Sequence, residues 1–189
     1  LGYKNYTAFK DEVIFERIVR LKQIRDRYES FEKNKIIQIM SQLRHHLINM
    51  DEIDKICKQI NEHERFIAYG SLTLLNLLFD FQVDMKIFDK TVLLSSVNNG
   101  KILVPKNNDL IGLFTATGRL LGCCDAKFQE VVLDTKNTKI LFSKSQINSE
   151  YIDFSFSMDT DNDYYEMHYV FLFLFDLIKT RYYELYIKE

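Results

Sequence analysis

The chain has no tryptophan, one proline and three cysteines among its 189 residues. Three cysteines, two of them adjacent as Cys123 and Cys124, do not make the disulfide framework of a small secreted domain. The longest uninterrupted apolar run, residues 169–175, is far shorter than the ~20 residues needed to cross a bilayer. The first thirty residues are densely charged, unlike a secretory signal peptide. We therefore expect a soluble protein of the reducing cytoplasm with no membrane partner.

A strong excess of either charge is also missing, since the formal net charge is -2. This balance makes nucleic acid an unexpected partner. A locally basic stripe between Arg17 and Arg27 is diluted by Glu16, Asp26 and Glu29, so a solvated face of mixed charge is the preferred interpretation. What the chain does have is 47% hydrophobic and 14% aromatic residues, which is typical of a folded, globular protein.

The texture of the sequence changes near residue 82. Before it, Gly70 is the only glycine after the N-terminal tip, and apolar residues recur every three to four positions. After it, short β-rich runs alternate with turn residues. The predicted fold class is α+β, with three to four helices in residues 1–82 as an arm or bundle. Residues 83–189 are predicted to form an antiparallel meander of about seven strands and a C-terminal apolar helix.

Two apolar ladders in the first half have heptad spacing and predict helices over residues 8–29 and 36–50. Further helices are expected over residues 52–65 and 66–81, the last being the most apolar. The ladders predict either a short coiled coil that binds a partner or a second copy, or helices that fold back onto the sheet as part of an ordinary core. The contact residues of the coiled coil would be Ile14, Ile18, Leu21, Tyr28, Ile36, Met40, Leu43 and Leu47.

Turn residues divide the second half into candidate hairpins. Asn99-Gly100 is a strong hairpin signal, because both central positions of a type I′ turn need positive φ. Thr117-Gly118 and Lys136-Asn137 are read as the next two turns. Residues 151–158 alternate between apolar and polar positions, as a half-buried strand does. The other predicted strands are residues 91–97, 101–104, 110–116, 119–124, 128–134 and 138–143.

Residues 164–188 form an ambiguous last segment. Its tyrosines and phenylalanines suit a strand, whereas its length and its lack of internal turn residues suit a helix. A helix that covers the apolar face of the sheet is preferred, because a sheet of this kind needs a covering layer.

The acidic run with Asp159, Asp161 and Asp163 resembles the first half of an EF-hand loop. Such a loop needs glycine at its sixth position and glutamate at its twelfth, where this chain has Tyr164 and Val170. A solvated turn is therefore preferred. The four histidines do not show the i, i+4 pairing of two metal ligands on a helix, so no metal is predicted.

Gly70 and Ser71, followed by Asp80 and Asp84, partly resemble the Gly-Ser and paired-aspartate pattern of nucleotidyltransferases. That chemistry needs two carboxylates two residues apart on a strand, whereas these are four apart in an apparently helical segment. Gly70 and Ser71 are instead expected to allow close helix packing or a kink. With no phosphate loop and no base beside either adjacent cysteine, no catalytic residue and no cofactor is predicted.

The preferred function is a non-enzymatic assembly or adaptor protein, with a protein partner or a homo-oligomer formed through the N-terminal helices. One alternative is a small hydrophobic-ligand-binding protein that uses the meander and the C-terminal helix. Another is weak nucleic-acid binding through the Arg17–Arg27 stripe, alone or with a winged-helix-like arrangement of helices at 36–48, 52–61 and 64–78. The phenylalanines expected to line a ligand cavity are Phe154, Phe156, Phe171, Phe173 and Phe175.

Overall fold

The computed structural model describes residues 49–97, 102–116, 118–122, 125–157 and 166–188. The chain divides into two compact units, Leu1–Arg44 and His45–Glu189. The predicted N-terminal ladders and the Arg17–Arg27 stripe lie outside the described residues, as do Cys123, Cys124 and the three aspartates of the acidic run. The boundary expected near residue 82 falls inside a helix of the second unit.

The described part of the second unit alternates strands with helices. The strands are β1 Arg65–Gly70, β2 Thr91–Ser96, β3 Asp109–Thr115, β4 Lys139–Ser143 and β5 Phe154–Ser157. The helices are α1 Met50–Glu62, α2 Leu72–Leu75, α3 Phe79–Ile87, α4 Arg119–Gly122, α5 Ala126–Phe128 and α6 Glu166–Tyr186. A 3₁₀ turn, Asn76–Leu78, joins α2 to α3, and a π-helical turn, Gln129–Leu133, continues α5.

Within the described ranges, the five strands form one sheet in the order β2-β1-β3-β4-β5, and every neighbouring pair is parallel. The predicted antiparallel meander of seven strands is therefore wrong. Strands that alternate with helices favour parallel pairing, because each crossover returns the chain to the same edge of the sheet. The architecture is a doubly wound α/β sheet of the flavodoxin-like order.

Residues 66–70, predicted as the start of a helix, instead form most of strand β1. It lies in the middle of the sheet, and Phe66 through Gly70 are all buried. A strand covered on both faces is apolar at every position and shows no period-two alternation. Its apolar run continues directly into the leucines of α2, so the whole of residues 66–81 looks like one apolar helix.

The turn residues were predicted to join antiparallel strands in hairpins, but the strands they follow are parallel. Strand β2 pairs with β1 rather than with a strand after Asn99-Gly100, and residues 102–106 are not in a strand. Gly118, with φ +75°, leads from β3 into α4 instead of into a hairpin partner. Residues 128–134, expected as a strand, lie in α5, the π-helical turn and the bend after it. Turn residues mark a reversal but do not specify a strand on its far side.

One face of the sheet is covered by α1, α3 and α6 through a layer of phenylalanines. The stacked rings of Phe114 and Phe142 have centroids 4.7 Å apart, and Phe175 of α6 lies 5.4 Å from both. Gly112 leaves room for the ring of Phe66, because a Cβ there would meet Phe66 Cζ at 2.5 Å. The opposite face packs against α5 and the π-helical turn through Ile67, Tyr69, Ile111, Leu113, Phe128, Val132, Leu133 and Leu141.

The C-terminal segment is helix α6, which runs antiparallel to the strands. Its first turns lie near the strand ends, where Phe171 contacts Phe114 with ring centroids 6.0 Å apart. Its last turns reach the opposite edge, where Tyr182 donates a hydrogen bond to Asn61 Oδ1 at 3.0 Å. Arg181 binds Asp54 of α1 through two of its nitrogens at 2.7 and 3.0 Å. Helix α6 is thus fixed along its length over the centre of the sheet.

The third cysteine, Cys57, is free and buried in α1. Burial raises the pKa of its thiol to about 12, and Sγ lies 3.5 Å from the carbonyl oxygen of Ile178. A thiol in that environment stays protonated and unreactive. Among the described residues, no helix is both long and apolar enough to cross a membrane.

Candidate functional site at the carboxyl edge of the sheet

The two edges of the parallel sheet carry different side chains. At the amino edge, Arg65 begins β1 and Asp109 begins β3, and Arg65 Nε donates to Asp109 Oδ1 at 2.8 Å. The Asp109 carboxylate also accepts the backbone N–H of Lys106 at 2.6 Å. Burial alone would raise the pKa of Asp109, but the Arg65 and Lys106 hydrogen bonds outweigh it and lower that pKa. Asp109 is therefore a charged structural group with its oxygens already engaged.

Lys139 and Lys90 are further cations of the amino edge. Lys139, which begins β4, is buried and donates from Nζ to the carbonyl oxygens of Thr135 and Asn137. Lys90 Nζ donates to the carbonyl oxygen of Asn61 at 2.8 Å. Burial lowers the pKa of both lysines. Both ammonium groups bind carbonyl oxygens of the neighbouring loops. The charged side chains of this edge therefore have hydrogen-bond partners within the protein and serve its structure.

The carboxyl edge carries hydroxyl groups instead. Every strand of the described sheet either ends in a serine or threonine or is followed directly by one. These residues are Ser71 after β1, Ser95 and Ser96 in β2, Thr115 in β3, Ser143 in β4 and Ser157 in β5. In a doubly wound sheet, ligands bind in the crevice beyond this edge, at the point where the strand order reverses.

In this sheet the order reverses between β1 and β3. Gly70 pairs with Phe114, so the next residues, Ser71 and Thr115, follow side by side at the crevice. Within the ranges given above, no hydrogen bond engages Ser71 Oγ or Thr115 Oγ1. By contrast, Ser95 Oγ accepts the backbone N–H of Leu103 at 3.1 Å, and Ser143 Oγ donates to the carbonyl oxygen of Ser145 at 2.7 Å. The two hydroxyls at the switch point are thus not engaged, with Ser71 half-buried and Thr115 buried at the end of β3.

The backbone at this point is closely packed against the neighbouring strand. Gly70 ends β1, and a Cβ there would lie 3.0 Å from both Cβ and the carbonyl oxygen of Phe114. The chain becomes helical directly after Ser71, and after β3 the positive φ of Gly118 turns it into α4. The N–H groups of the first turn of α2 have no intrahelical acceptor and can bind an anionic or polar ligand, whereas in α4 the N–H of Leu121 donates to the carbonyl oxygen of Gly118 at 3.0 Å.

Three side chains with charge or acid–base chemistry lie on segments that begin or end at the carboxyl edge of the sheet. Arg119 follows Gly118 at the start of α4 and is exposed, and Lys144 follows Ser143 at the end of β4. His168 lies on the first turn of α6, one turn before Phe171, and α6 begins at the carboxyl edge. The edge therefore combines hydroxyls, backbone N–H groups, two cations and one imidazole.

A separate cleft of about 250 Å³ lies between α1 and β5. It runs along the side of the sheet, away from the switch point, and its lining mixes Glu52, Lys55 and Asp153 with Phe154 and Phe156. We assign the candidate site to the crevice rather than to this cleft, because the crevice gathers unengaged hydroxyls from two neighbouring strand ends.

Few of the residues considered from sequence contribute to this site. The predicted partner-binding residues Ile14, Ile18, Leu21, Tyr28, Ile36, Met40, Leu43 and Leu47 all lie outside the described residues. Gly70 and Ser71, expected to let two helices pack closely, instead end β1 and open the crevice. Phe171 and Phe175 pack in the core instead of lining a cavity. The sequence does carry one overlooked signal, which is the serine or threonine at the end of each β-rich run.

Comparison with solved structures identifies the fold. The chain is similar to the protein MJ1247 from Methanococcus jannaschii, whose structure infers a function of 3-hexulose-6-phosphate isomerase. That likeness has a TM-score of 0.63 at 14% identity and covers 79% of this chain and 87% of that one. The Vibrio vulnificus NanR protein complexed with ManNAc-6P matches with a TM-score of 0.63 at 12% identity, covering 98% and 71%. The C-terminal domain of glucosamine-fructose-6-phosphate aminotransferase from Francisella tularensis matches with 0.58 at 18% identity, covering 79% and 43%.

No family model matches the sequence, and no curated protein matches it at a significant level. The structural likeness shows that the chain has the parallel α/β fold of the sugar-phosphate isomerases. It overturns the prediction of an antiparallel sheet and gives no support to the predicted coiled-coil arm, whose residues lie outside the described part of the chain. The adaptor function rested on the heptad ladders, and the assignment as a non-enzyme rested on the lack of catalytic motifs. The neighbours, which are described as isomerases or as complexes with sugar phosphates, contradict both predictions.

Proposed function

We propose that the second unit binds a phosphorylated sugar in the crevice at the carboxyl ends of β1 and β3. The observation that carries this proposal is the pair of unengaged hydroxyls, Ser71 and Thr115, at the point where the strand order reverses. The neighbours of known structure support it, because the descriptions of the three structures given above each include a sugar phosphate.

A phosphate group suits the chemistry of this edge. Phosphate oxygens are strong acceptors, and hydroxyls and the N–H groups of a helix start are donors that hold them without a buried counter-charge. Arg119 and Lys144 follow β3 and β4 at the same edge and supply positive charge. The hydroxyls of the sugar would bind the remaining polar groups of the strand ends.

Conversion between an aldose and a ketose phosphate is the second candidate. It transfers one proton between C1 and C2 of the open-chain sugar and a second proton between O1 and O2, and one acid–base group can carry the proton between the two carbons. His168 lies on the first turn of α6, which begins at the carboxyl edge, and it is the specific residue that favours this candidate.

Binding can be tested by isothermal titration of the full chain with glucose 6-phosphate, fructose 6-phosphate, ManNAc-6P and a pentose 5-phosphate. Unphosphorylated glucose and inorganic phosphate serve as control ligands. We expect at least one sugar phosphate to bind and to raise the melting temperature, because a ligand at 100 times its Kd stabilises the native state by about 2.7 kcal/mol. No binding by any sugar phosphate up to millimolar concentration would contradict the proposal.

The site is located by Ser71→Ala and Thr115→Val, with Ser155→Ala as the matched control. Ser155 is an exposed strand serine on β5, away from the switch point. Each site variant is expected to weaken binding by roughly tenfold, since a hydrogen bond to a charged group contributes about 1.5–3 kcal/mol. If Ser155→Ala weakens binding as much as they do, the ligand is not at the crevice.

Isomerisation is followed by NMR of the bound sugar phosphate in D₂O, where the proton transferred at C1 or C2 exchanges with solvent. His168→Gln is expected to abolish exchange while leaving the Kd within about threefold, because it removes the base and not the phosphate site. Binding without any exchange in the native chain would leave a binding domain and rule out the second candidate.

We also retain two finer proposals about the setting of this protein. The first is a reducing cytoplasm, which the free, buried thiol of Cys57 supports. The second is that the chain is a homo-oligomer. A purification under non-reducing conditions followed by thiol counting tests the first, and sedimentation equilibrium of the full chain tests the second.

A further inference from the structure

The cleft between α1 and β5 is bounded by a helix and a strand that run in opposite directions. Helix α1 ends at Glu62, just before β1 begins at the amino edge, so α1 runs from the carboxyl edge toward the amino edge. Strand β5 runs the other way, since the N–H of Asp153 donates to the carbonyl oxygen of Lys139 at the amino edge. Glu52 therefore lies at the end of the cleft nearer the carboxyl edge, and Gln59 and Asp153 lie at its other end.

The two walls of the cleft have matching lengths. From Glu52 to Gln59, α1 rises by about 10 Å at ~1.5 Å per residue. From Asp153 to Phe156, β5 extends by about 10 Å at ~3.3 Å per residue. The cleft volume of about 250 Å³ lies just below the ~300–1,000 Å³ of pockets for drug-sized ligands. A ligand of this cleft should therefore be smaller than a nucleotide cofactor.

Three charged side chains line the cleft, and their signs alternate along it. Glu52 and Lys55 lie one helical turn apart at the first end, and both are exposed. Among the ion pairs of the described residues, none includes either of them. At the other end, Asp153 Oδ2 accepts the N–H of Lys139 at 2.8 Å, and within the described ranges Oδ1 accepts no hydrogen bond. A negative, a positive and a second negative group thus follow one another, each with capacity for a ligand.

The space between the charged ends is apolar. Phe154 is 42% exposed and forms the open wall of the cleft. The floor beneath it consists of Ile56, Ile140 and Phe156, all buried. An aliphatic chain that lies across these side chains would be removed from water, which stabilises its bound state.

From this order of groups, we propose that the cleft binds a free basic α-amino acid of the lysine, ornithine and arginine class. The α-ammonium group pairs with Glu52, and the α-carboxylate pairs with Lys55. The aliphatic stem lies on Phe154, and the terminal cation pairs with Asp153. The ligand carries two cations and one carboxylate, whereas the cleft carries two carboxylates and one cation, so the charges are complementary in number and in order.

The length of such a ligand fits the cleft. Six bonds separate the two nitrogens of lysine, which are about 7 Å apart when the side chain is extended. Charge-assisted hydrogen bonds of about 2.8 Å at the ends span the remaining distance. An apolar amino acid would leave Asp153 without a counter-charge, and a diamine would bring a cation to Lys55. This proposal does not depend on the binding of a sugar phosphate at the crevice.

The first test is isothermal titration of the full chain with L-lysine, L-ornithine and L-arginine. Norleucine, which lacks the terminal ammonium group of lysine, and cadaverine, which lacks the carboxylate, are the comparison ligands. We expect at least one basic amino acid to bind with a Kd of about 0.1–1 mM, because the cleft is open and its charges are exposed. Norleucine and cadaverine should each bind about fivefold more weakly than lysine, the upper range for an exposed ion pair.

The second test locates the ligand with charge-neutral variants. Glu52→Gln, Lys55→Gln and Asp153→Asn should each weaken the binding of lysine by about fivefold. Lys58→Gln and Glu62→Gln are the matched controls, since these two exposed residues of α1 pair with each other at 3.7 Å and do not line the cleft. Circular dichroism verifies that each variant is folded.

Combining variants with ligands shows which group of the ligand faces which residue. Asp153→Asn should bind lysine and norleucine equally, because the terminal ammonium group has lost its partner. Lys55→Gln should likewise bind lysine and cadaverine equally. These equalities compare two ligands on one protein, so a general loss of stability does not produce them.

Three results would overturn the proposal. The first is that none of the three basic amino acids binds the native chain at tens of millimolar. The second is that norleucine or cadaverine binds as tightly as the best of them, or that the control variants weaken binding as much as the cleft variants do. The third is that Asp153→Asn still prefers lysine to norleucine, which would place the terminal cation elsewhere.

Discussion

The amino and carboxyl edges of the same sheet are both polar, yet their polar groups are used differently. At the amino edge, the charged side chains of Arg65, Lys90, Asp109 and Lys139 are bonded to other parts of the chain. At the carboxyl edge, neutral hydroxyls follow the strands, and in the described part of the chain those of Ser71 and Thr115 are not engaged. A buried charge without a partner costs more free energy than a hydroxyl without a hydrogen bond. The charged side chains of the amino edge therefore need partners within the protein, whereas the hydroxyls of the carboxyl edge can remain without one until a ligand binds.

The residues that stabilise the sheet and those proposed to bind a ligand lie at opposite ends of the same strands. Three of the β-rich runs, those of β1, β3 and β4, begin with a charged residue that holds the sheet together and end at hydroxyls that face the crevice. Mutations at the two ends of one strand should therefore have different consequences. The following predictions test this separation.

The largest effect is expected from Asp109→Ala. It leaves the guanidinium of Arg65, only 20% exposed, without its carboxylate, and frees the backbone N–H of Lys106. Breaking such a pair typically costs about 3–5 kcal/mol of unfolding free energy. Chemical denaturation measures it, with Glu130→Gln at an exposed position as control. A loss below about 1 kcal/mol would show that the amino edge is not a structural framework.

Acid should remove part of the same contribution. Because the pKa of Asp109 is lowered in the folded state, its contribution is fully present above the unfolded pKa of ~3.9 and is lost as the pH falls through the folded value. The stability difference between the native chain and Asp109→Asn should therefore narrow below about pH 4. Urea titrations at neutral pH and at two acidic values on either side of the unfolded pKa measure it. A difference that stays constant with pH would mean that the carboxylate charge contributes nothing.

Gly118→Ala tests the turn at the carboxyl edge. The residue has φ +75°, and a Cβ there would lie 2.7 Å from Ile147 Cδ1. The conformation costs a residue with a Cβ about 1–2 kcal/mol, so a moderate loss of stability is expected. Binding of the sugar phosphate should fall as well, because the turn positions the start of α4. Gly122→Ala is the control, since a Cβ there meets nothing within 4 Å.

The smallest effect separates two serines of the carboxyl edge. Ser95→Ala removes the acceptor of the Leu103 N–H and should cost about 1 kcal/mol of stability. The hydroxyl of Ser71 is not engaged, so Ser71→Ala should leave the melting temperature of the ligand-free protein unchanged. The same change should weaken the binding of the sugar phosphate. Thermal unfolding with and without the sugar phosphate measures both. Equal melting temperatures for the two variants would remove the distinction between structural and binding hydroxyls.

Some of this fold could be predicted from the sequence. Helix α1 and the C-terminal helix α6 follow from an acidic first turn and from a long segment without turn residues. Strands β2, β3, β4 and β5 each coincide with a predicted strand to within a few residues. The sequence did not show whether the strands pair in parallel or antiparallel, because local patterns identify a strand but not the strand that it pairs with. Strand β1 was lost since a strand buried on both faces has no alternation to detect.

The candidate site was missed for a related reason. Ser71 and Thr115 are far apart in the chain and become neighbours only through the parallel pairing of β1 with β3. Neither residue stands in a motif that names a chemistry, and hydroxyls at strand ends are informative only once the strand order is known.

The central position of β1 has a consequence for how the protein is made. During synthesis, β1 leaves the ribosome with both of its hydrogen-bonding edges open, and its partner β3 is complete only when Thr115 has been added. At roughly 5–20 residues per second, this exposure lasts for several seconds. The apolar segment Phe66–Ile67–Ala68–Tyr69 has the composition of an aggregation-prone strand. Nascent chains that stall before Thr115 should therefore depend on chaperones far more than the finished protein does.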